Sequence, residues 1–364
     1  MNPEIFCDRL VSNGSNFICG VPDSLLKNLI NLFNQKFDNH IITANEGNAI
    51  AMVAGHYIAS KQIGVVYIQN SGLGNCINPI LSLTDEDVYN IPFLMIIGYR
   101  GEPNIKDEPQ HYKQGLLTLP LLDCINIKYK IFEDITDIDN AYEYIKKEGK
   151  PFALVIKKDT FEVTSINKEE SSNVLSREDA IIKIASKSDK QDIFVSTTGM
   201  ISRELYEYRK NNNMPLQDFL MVGAMGHASS FAYAIAMEKK DRRVYILDGD
   251  GACLMHMGSL PVLASLGIDN IIHILLNNSA HDSVGGQPTI GDKINFSEIA
   301  KNCGYKQSYQ VSTIEELDTA LDNINGKSCF IEVKVKKGNR KDLGRPKETP
   351  IENKKMFMEF LDNE

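Results

Sequence analysis

Hydrophobic positions along this 364-residue chain fall into short continuous apolar runs, separated by stretches in which apolar residues recur every three or four positions. The first pattern predicts buried strands and the second amphipathic helices, and their regular alternation predicts parallel sheets covered on both faces. Ile5, Phe6, Leu10 and Val11 share one predicted helical face, and a strand is expected over 17–19. A turn at 20–23 then leads into a helix that buries Leu25, Leu26, Leu29, Ile30 and Phe33. Further strands are expected at 40–44, 65–68, 92–97, 125–131 and 152–156. Helices are expected at 49–59, whose small residues suggest packing on several sides, and at 141–147. The pattern then lapses in the polar, aperiodic SINKEESSNVLS at 165–176 and resumes. Helices at 180–185, 202–209 and 228–237 alternate with strands at 193–195, 219–222, 243–247 and 271–276, and strands at 305–310 and 329–335 and a terminal helix at 354–361 follow. The expected fold is α/β: two doubly wound parallel-sheet domains, 1–165 and 177–364, joined by a linker at 166–176. Beyond that coarse duplication the chain has no internal repeat.

Composition narrows the function. With 43% hydrophobic and 24% charged residues the chain reads as globular, and a net charge of -9 without a dominant basic cluster argues against nucleic acid as a partner. Seven cysteines without a CxxC pair suggest reduced interior thiols. Glu4, Asp8 and Arg9 stand where a signal peptide needs an apolar core, and no apolar run approaches a membrane span. The expectation is a cytoplasmic protein with no membrane partner.

Chemistry concentrates at strand ends. Residues 247–280 read as one βαβ unit in which the turn Gly249-Asp250-Gly251 follows the first strand and Asn277-Asn278 the second. Parallel strands bring both to the same sheet edge. An acid and an asparagine amide are oxygen donors suited to Mg²⁺. The glycines and the N–H groups of Ala252 and Cys253 could seat a phosphate. A lone Gly-Asp-Gly is equally a tight turn with a satisfied aspartate; the asparagine pair is what points to a ligand. A dinucleotide fingerprint fits worse, because its third glycine would be Leu254. Asp23 and Ser24 follow a strand as helix caps or as substrate contacts. Glu46 opens a helix either as a dipole partner or as a functional acid. The polar QNSGLGN at 69–75 and the long charged loop at 98–115 end two more strands.

Taken together, ANEGNA around Glu46, QNSGLGN, YRGEPNIKDEPQHYKQG at 99–115, STTG at 196–199, GAMGHA at 223–228, Gly-Asp-Gly and NNSAHDSVGGQPT at 277–289 resemble the thiamin-diphosphate-dependent decarboxylases along essentially the whole chain. Within them the chain resembles the phosphonopyruvate and sulfopyruvate decarboxylase group. The resemblance implies an N-terminal pyrimidine-binding domain, a C-terminal domain for diphosphate and Mg²⁺, and a homo-oligomer with active sites between subunits. It places Asp250, Asn278 and the carbonyl of Ala280 on Mg²⁺, with Asn277 the ligand if the register shifts by one. Gly249, Gly251, Ala252, Thr198 and Gly199 lie by the diphosphate, and Gly72 belongs to the cofactor site. The Gly223 carbonyl accepts from the cofactor's amino group, and Met225 either props the cofactor's rings or fills the core. Glu46 shares a proton with the pyrimidine nitrogen, and His111 and His281 are candidate proton carriers or surface histidines. Arg100 and Lys113, with Asp23 and Ser24, are candidate contacts for a small anionic 2-oxo acid. The implied reaction is decarboxylation of 3-phosphonopyruvate to phosphonoacetaldehyde and CO₂ in phosphonate biosynthesis. Alternatives are sulfopyruvate, another 2-oxo acid with or without carboligation, and, in a different class, a non-catalytic cofactor-binding subunit.

Overall fold

A computed structural model describes residues 1–164 and 173–362 and divides the chain into two compact units, Met1–Lys168 and Glu169–Glu364. The first unit contains helices α1 (Pro3–Ser12), α2 (Lys27–Lys36), α3 (Glu46–Ser60), α4 (Leu73–Pro79), α5 (Pro109–Cys124) and α6 (Thr136–Glu148). Its strands are β1 (Phe17–Gly20), β2 (Asn39–Ile42), β3 (Val65–Gln69), β4 (Leu94–Gly98), β5 (Lys128–Ile131) and β6 (Phe152–Ile156). The strands form one parallel six-stranded sheet in the order β2-β1-β3-β4-β6-β5.

Successive residues of the central strands feed two cores. Val65, Tyr67, Leu94 and Ile96 pack with Phe6, Phe33 and Tyr142 on one face. Val66, Ile68, Met95 and Ile97 pack with Ile50, Val53 and Leu122 on the other. This is why β4 and β6 are buried at every position and read as continuous apolar runs.

In the second unit the helices are α7 (Arg177–Lys187), α8 (Met200–Asn211), α9 (Ala228–Glu238), α10 (Asp250–Met255), α11 (Ser259–Ser265), α12 (Phe296–Cys303), α13 (Ile314–Asp322) and α14 (Pro350–Asp362). Its strands are β7 (Ile193–Ser196), β8 (Phe219–Leu220), β9 (Val244–Gly249), β10 (Ile271–Asn277), the short β11 (Ala280–His281) and β12 (Gln287–Pro288), β13 (Gln307–Val311) and β14 (Cys329–Lys334). The large sheet is again parallel and six-stranded, β13-β14-β10-β9-β7-β8. The small β11-β12 pair is antiparallel. Ile272, Ile274 and Leu276 face one core, Ile271 and Leu275 the other.

The predicted α/β alternation and two doubly wound sheets are present, but several local readings were different. In α1 the buried residues are Pro3, Phe6, Cys7 and Leu10, while Ile5 and Val11 are exposed, because the helix presents a narrower face than its four apolar residues implied. The outer face of α3, with Ala51, Gly55 and Ile58, is open in the single chain rather than packed on several sides. Residues 70–84 are not a loop: a 3₁₀ turn runs into α4 and a π-helical turn. The charged loop is shorter than expected, since Pro109 at the first helical positions starts α5 and puts His111 and Lys113 on a helix. The single helix expected after Gly-Asp-Gly is two, broken around His256–Gly258. Helices α12 and α13 were not foreseen, although α13 carries a complete capping box, Thr313 with Glu316. Cys124 is exposed and Cys303 partly so, rather than interior; all seven thiols are free. Of the expected linker, 166–172 lie outside the described residues. Asn173 and Leu175 bond to Val335 and Lys336, and Ser176 caps α7, so 173–176 belong to the second unit.

Candidate active site

In each sheet the chain reverses its direction of strand addition beside the first strand, between β1 and β3 and between β7 and β9. Carboxyl ends flanking such a reversal open a crevice, the usual ligand position in open α/β sheets. The sequence candidates lie at these ends.

In the first unit, Glu46 sits in the first turn of α3 behind the N-cap Asn45, 5% exposed. Its Oε2 accepts a hydrogen bond from Asn75 Nδ2 at 2.8 Å. A methyl group on Gly72 would overlap Oε1, so only glycine lets the turn after β3 close over the carboxylate. Burial raises the Glu46 pKa, with the Asn75 hydrogen bond opposing it. A plain capping acid would be solvated; this one is walled in. Asn75 falls within the QNSGLGN motif, where the sequence assigns it no role. It lies one helical turn beyond Gly72, a spacing that acquires meaning only once 70–79 is known to be helical.

Asp23 is fully buried. Its Oδ2 accepts from the N–H of Leu25 at 3.1 Å, closing a tight turn ahead of α2 rather than capping that helix, whose N-cap is Leu26. Oδ1 has no hydrogen-bond partner. Loss of water lifts the Asp23 pKa to about 7 despite the positive charge of Arg100. Arg100 is gripped by Asp107 through Nε at 2.8 Å and through Nη2, and its Nη1 donates to Ser24 Oγ at 2.7 Å. Its backbone is fixed by Asn70, which accepts from Arg100 N at 3.2 Å and donates to Arg100 O at 2.7 Å. Ser24 and Arg100 thus meet, on the wall of a groove of about 280 Å³ that Lys27, Lys106, Asp107 and Lys158 also line. Lys113 is not among its lining residues and is exposed on α5. His111, in the first turn of α5, is 8% exposed, with Nδ1 unpartnered. Burial first and Arg100 second lower its pKa. It is therefore not a surface histidine.

In the second unit the β9-β10 register sets Gly249 opposite Leu276, which brings Asp250 beside the asparagine pair. Asp250 is 2% exposed and accepts from the hydroxyl of Thr289. Burial raises its pKa to about 6, opposed by the Thr289 bond and backbone N–H groups that include Asn278's. Asn277 is committed to the core: Nδ2 donates to Gly291 O at 2.7 Å and Glu332 Oε1 at 2.8 Å, and Oδ1 accepts from Ser279 N at 3.0 Å. The Oδ1 of Asn278 instead accepts from Ala280 N at 3.1 Å, while its Nδ2 donates to Asp282 Oδ2 at 2.5 Å. Ser279, between Asn278 and Ala280, has a left-handed φ of 55°. Left-handed backbone without glycine costs about 1–2 kcal/mol and tends to persist where function requires it.

The other motifs converge nearby. A Cβ on Gly251 would stand 2.9 Å from His281 Nδ1 and 3.4 Å from Met225 Cε, so His281, Gly251 and Met225 lie side by side. His281 is partly exposed, and desolvation lowers its pKa to about 4, with Asp282 opposing. Met225 is half-buried and belongs to neither hydrophobic core of this unit, so it is not core filling. Ala224, between Gly223 and Met225, is the second left-handed non-glycine residue here, φ 52°. The Thr198 hydroxyl donates to Val222 O at 2.7 Å, tying STTG to the segment before GAMGHA. Gly199, φ 102°, packs near Ser283. Ala252 is buried in α10.

The donors present fit the implied groups. Asp250 is a buried carboxylate that burial drives toward the neutral acid, a tendency a divalent cation would reverse, and Asn278 Oδ1 and the Ala280 carbonyl are oxygen donors of the kind such a cation takes.

Family models match two segments: residues 3–120 match the thiamine pyrophosphate enzyme N-terminal TPP binding domain, and 195–333 the C-terminal TPP binding domain. A phosphonopyruvate decarboxylase of Streptomyces hygroscopicus is 31% identical, covering 96% of this chain and 92% of the relative. Another, from Streptomyces viridochromogenes, is 30% identical over 97% and 93%. A sulfopyruvate decarboxylase of Methanosarcina acetivorans is 28% identical over 100% and 98%.

Proposed function

Since the chain belongs to the thiamine pyrophosphate enzymes, we propose that it is a carboxy-lyase that converts 3-phosphonopyruvate to phosphonoacetaldehyde and CO₂ with thiamin diphosphate and Mg²⁺, in phosphonate biosynthesis. The observation that carries the proposal is Glu46, a carboxylate enclosed against Gly72 and held by Asn75. No assembly or carrier role needs such a group, whereas a base that must share a proton with a ring nitrogen does. Bound here, the cofactor supplies the carbon that adds to the substrate ketone and the ring that takes up the electrons released with CO₂.

The chain's own residues supply the rest. Glu46, its pKa raised by burial, holds a proton at the pyrimidine nitrogen. Asp250, Asn278 and the Ala280 carbonyl hold Mg²⁺; Asn277, spent in the core, does not. Gly249, Gly251, Ala252, Thr198 and Gly199 would line the diphosphate, the Gly223 carbonyl would accept from the amino group, and Met225 would support the ring pair. His111 and His281, which burial makes harder to protonate, relay the proton that replaces CO₂ on the product carbon, each passing on a proton it has first taken from water. Asp23, neutral below about pH 7, is a buried acid that carries a proton of its own.

The small anionic 2-oxo acid meets Ser24 and Arg100 with its second anionic group. Lys27, Lys106 and Lys158 line the same groove, against Glu102, Asp107 and Asp159, so with Arg100 the cations exceed the acids there by one, in the direction that favours a dianionic phosphonate over a singly charged sulfonate. Sulfopyruvate is the second reading, supported by the full-length sulfopyruvate decarboxylase relative. A homo-oligomer with active sites between subunits is supported by exposed Tyr112, Leu116 and Leu117 on α5 and Ile58 on α3. A cytoplasmic location accords with the seven free cysteines; among the described residues no helix is long and apolar enough to cross a membrane.

Initial rates on phosphonopyruvate, sulfopyruvate and pyruvate test the substrate, and no preference for phosphonopyruvate would overturn it. Glu46→Gln tests the chemistry: retained cofactor binding with decarboxylation lost supports the role, and unchanged turnover removes it.

A further inference from the structure

Asn278 is an amide, and the two ends of an amide have the same shape but opposite polarity. Only one orientation presents oxygen to a cation; the flipped one would present NH₂. Asn278 Nδ2 donates to Asp282 Oδ2 at 2.5 Å. A carboxylate accepts and never donates, so this bond, together with the N–H of Ala280 that donates to Oδ1 at 3.1 Å, selects the orientation that turns the amide oxygen away from Asp282.

Asp282 is itself held. Arg177 Nη1 donates to its Oδ2 at 2.8 Å, and Gly338 N donates to Oδ1 and Oδ2 at 3.1 and 3.0 Å. Arg177 is 5% exposed and locked from the far side by Glu204, 2% exposed, through Nε at 2.8 Å and Nη2 at 2.9 Å. One guanidinium between two carboxylates leaves one negative charge, and because Arg177 spends two of its donors on Glu204 and one on Asp282, Asp282 is the less neutralised of the two. Polarised by it, the Asn278 amide carries a more negative oxygen.

We propose that Asp282, Arg177 and Glu204 are positioning residues that orient the amide of Asn278 for Mg²⁺. The chain of bonds runs from α8 through the start of α7 into the turn after β11, and it also clips the segment after β14 by way of Gly338. The core does not require Asn278 for this, because Asn277 makes the bonds that anchor the end of β10. The proposal rests on the cofactor and metal reading above.

The test is titration calorimetry of thiamin diphosphate into the full-length protein at a series of Mg²⁺ concentrations, read as the Mg²⁺ concentration giving half-maximal binding. Asp282→Asn, whose own NH₂ can turn toward Asn278, should raise that concentration about tenfold or more, with binding recovered at high Mg²⁺. Arg177→Lys keeps the charge but loses the fork, and should raise it severalfold even if Asp282→Asn does not fold. Asp218→Asn breaks another buried arginine pair, Arg209 with Asp218 at 2.9 and 3.1 Å, outside this bond chain. It should lower the melting temperature and leave the Mg²⁺ requirement within twofold. Wild-type Mg²⁺ dependence in Asp282→Asn and Arg177→Lys, or an equal shift in Asp218→Asn, would overturn the proposal. Wild-type protein that binds no thiamin diphosphate at any Mg²⁺ concentration would instead overturn the cofactor reading beneath it.

Discussion

Asp23→Asn offers a test of the site's electrostatics that needs neither substrate nor cofactor. The Asp23 carboxyl is fully buried, with one oxygen unpartnered and the other held by the N–H of Leu25, and its folded-state pKa is about 7. In the unfolded chain an aspartate titrates near 3.9. Between these values the native protein keeps a proton that the unfolded chain has released. Stability from this group is therefore fully present below about pH 4, falls by about 1.4 kcal/mol per pH unit as pH rises through that window, and levels off above about pH 7. The whole loss is about 3–5 kcal/mol, and the part between pH 5 and 8 about 2–3 kcal/mol. Asparagine keeps the shape and the acceptor for Leu25 but does not titrate. Urea unfolding of the wild type and Asp23→Asn at pH 5, 6, 7 and 8, without cofactor and at one protein concentration, should show the variant gaining about 2–3 kcal/mol relative to the wild type across the series. Whatever constant offset asparagine adds cancels in that trend, as do other titrating groups such as His40, whose pKa burial lowers to about 4 in both proteins. Two parallel pH profiles would refute the argument, since they would mean that Asp23 is hydrated or paired in the folded state.

Gly72→Ala would drive a methyl group into the Glu46 carboxylate; turnover should fall at least about 100-fold while the melting temperature drops only a few degrees, and near-normal turnover would show that Glu46 need not be enclosed. Chelation of Mg²⁺ should release the cofactor and remove the stabilisation that binding confers, about 3 kcal/mol at a hundredfold excess of ligand over Kd, read as a melting shift of several degrees that thiamin diphosphate alone does not restore. Lys27→Glu combined with Lys106→Glu should raise KM for the phosphonate substrate about tenfold or more with kcat little changed, whereas Lys113→Ala should alter neither. Equal effects of the two substitutions would return Lys113 to the substrate and remove the groove.

Strand positions and strand-end motifs could be read from the sequence because central parallel strands are buried on both faces and must be apolar throughout, as β6 and β10 are. What could not be read depended on tertiary contact. The turn at 70–75 looked like loop because its glycines and asparagines disfavour helix, yet Gly72 is there to clear a carboxylate from a distant segment. Lys113 was chosen by its place in a charged stretch. Pro109 initiated a helix inside that stretch and carried Lys113 to an exposed face, while Lys27 and Lys158, remote in sequence, reached the groove instead. Asn277 and Asn278 are the same residue type in adjacent positions, and no sequence pattern separates them; Glu332 does, by accepting from Asn277 in the core. Arg177 stood at the edge of the expected linker, where an isolated charge has no visible partner.

The two sheets carry the same permutation. Renumbered from the first strand of each large sheet, both run 2-1-3-4-6-5, and the comparison assigns the candidate residues by strand end. Beyond the first strand lie Asp23 and Ser24 in one unit and Thr198 and Gly199 in the other. Beyond the second lie Glu46 and the Gly223–Met225 segment, and beyond the third Gly72 and Gly249–Gly251. Beyond the fourth lie Arg100 and the Asn278–Ala280 turn. No recurrent sequence accompanies this correspondence, because the sheet demands only apolar strands in order, while each strand end is free to vary. One set of ends has acquired buried acids and a cationic groove, the other a carboxylate and amide with left-handed turns beside them. If the chemistry is set by these ends and not by the sheets, exchanging polar residues at one strand end should change cofactor or substrate binding with little loss of stability, whereas a polar residue in β4 or β10 should unfold its unit.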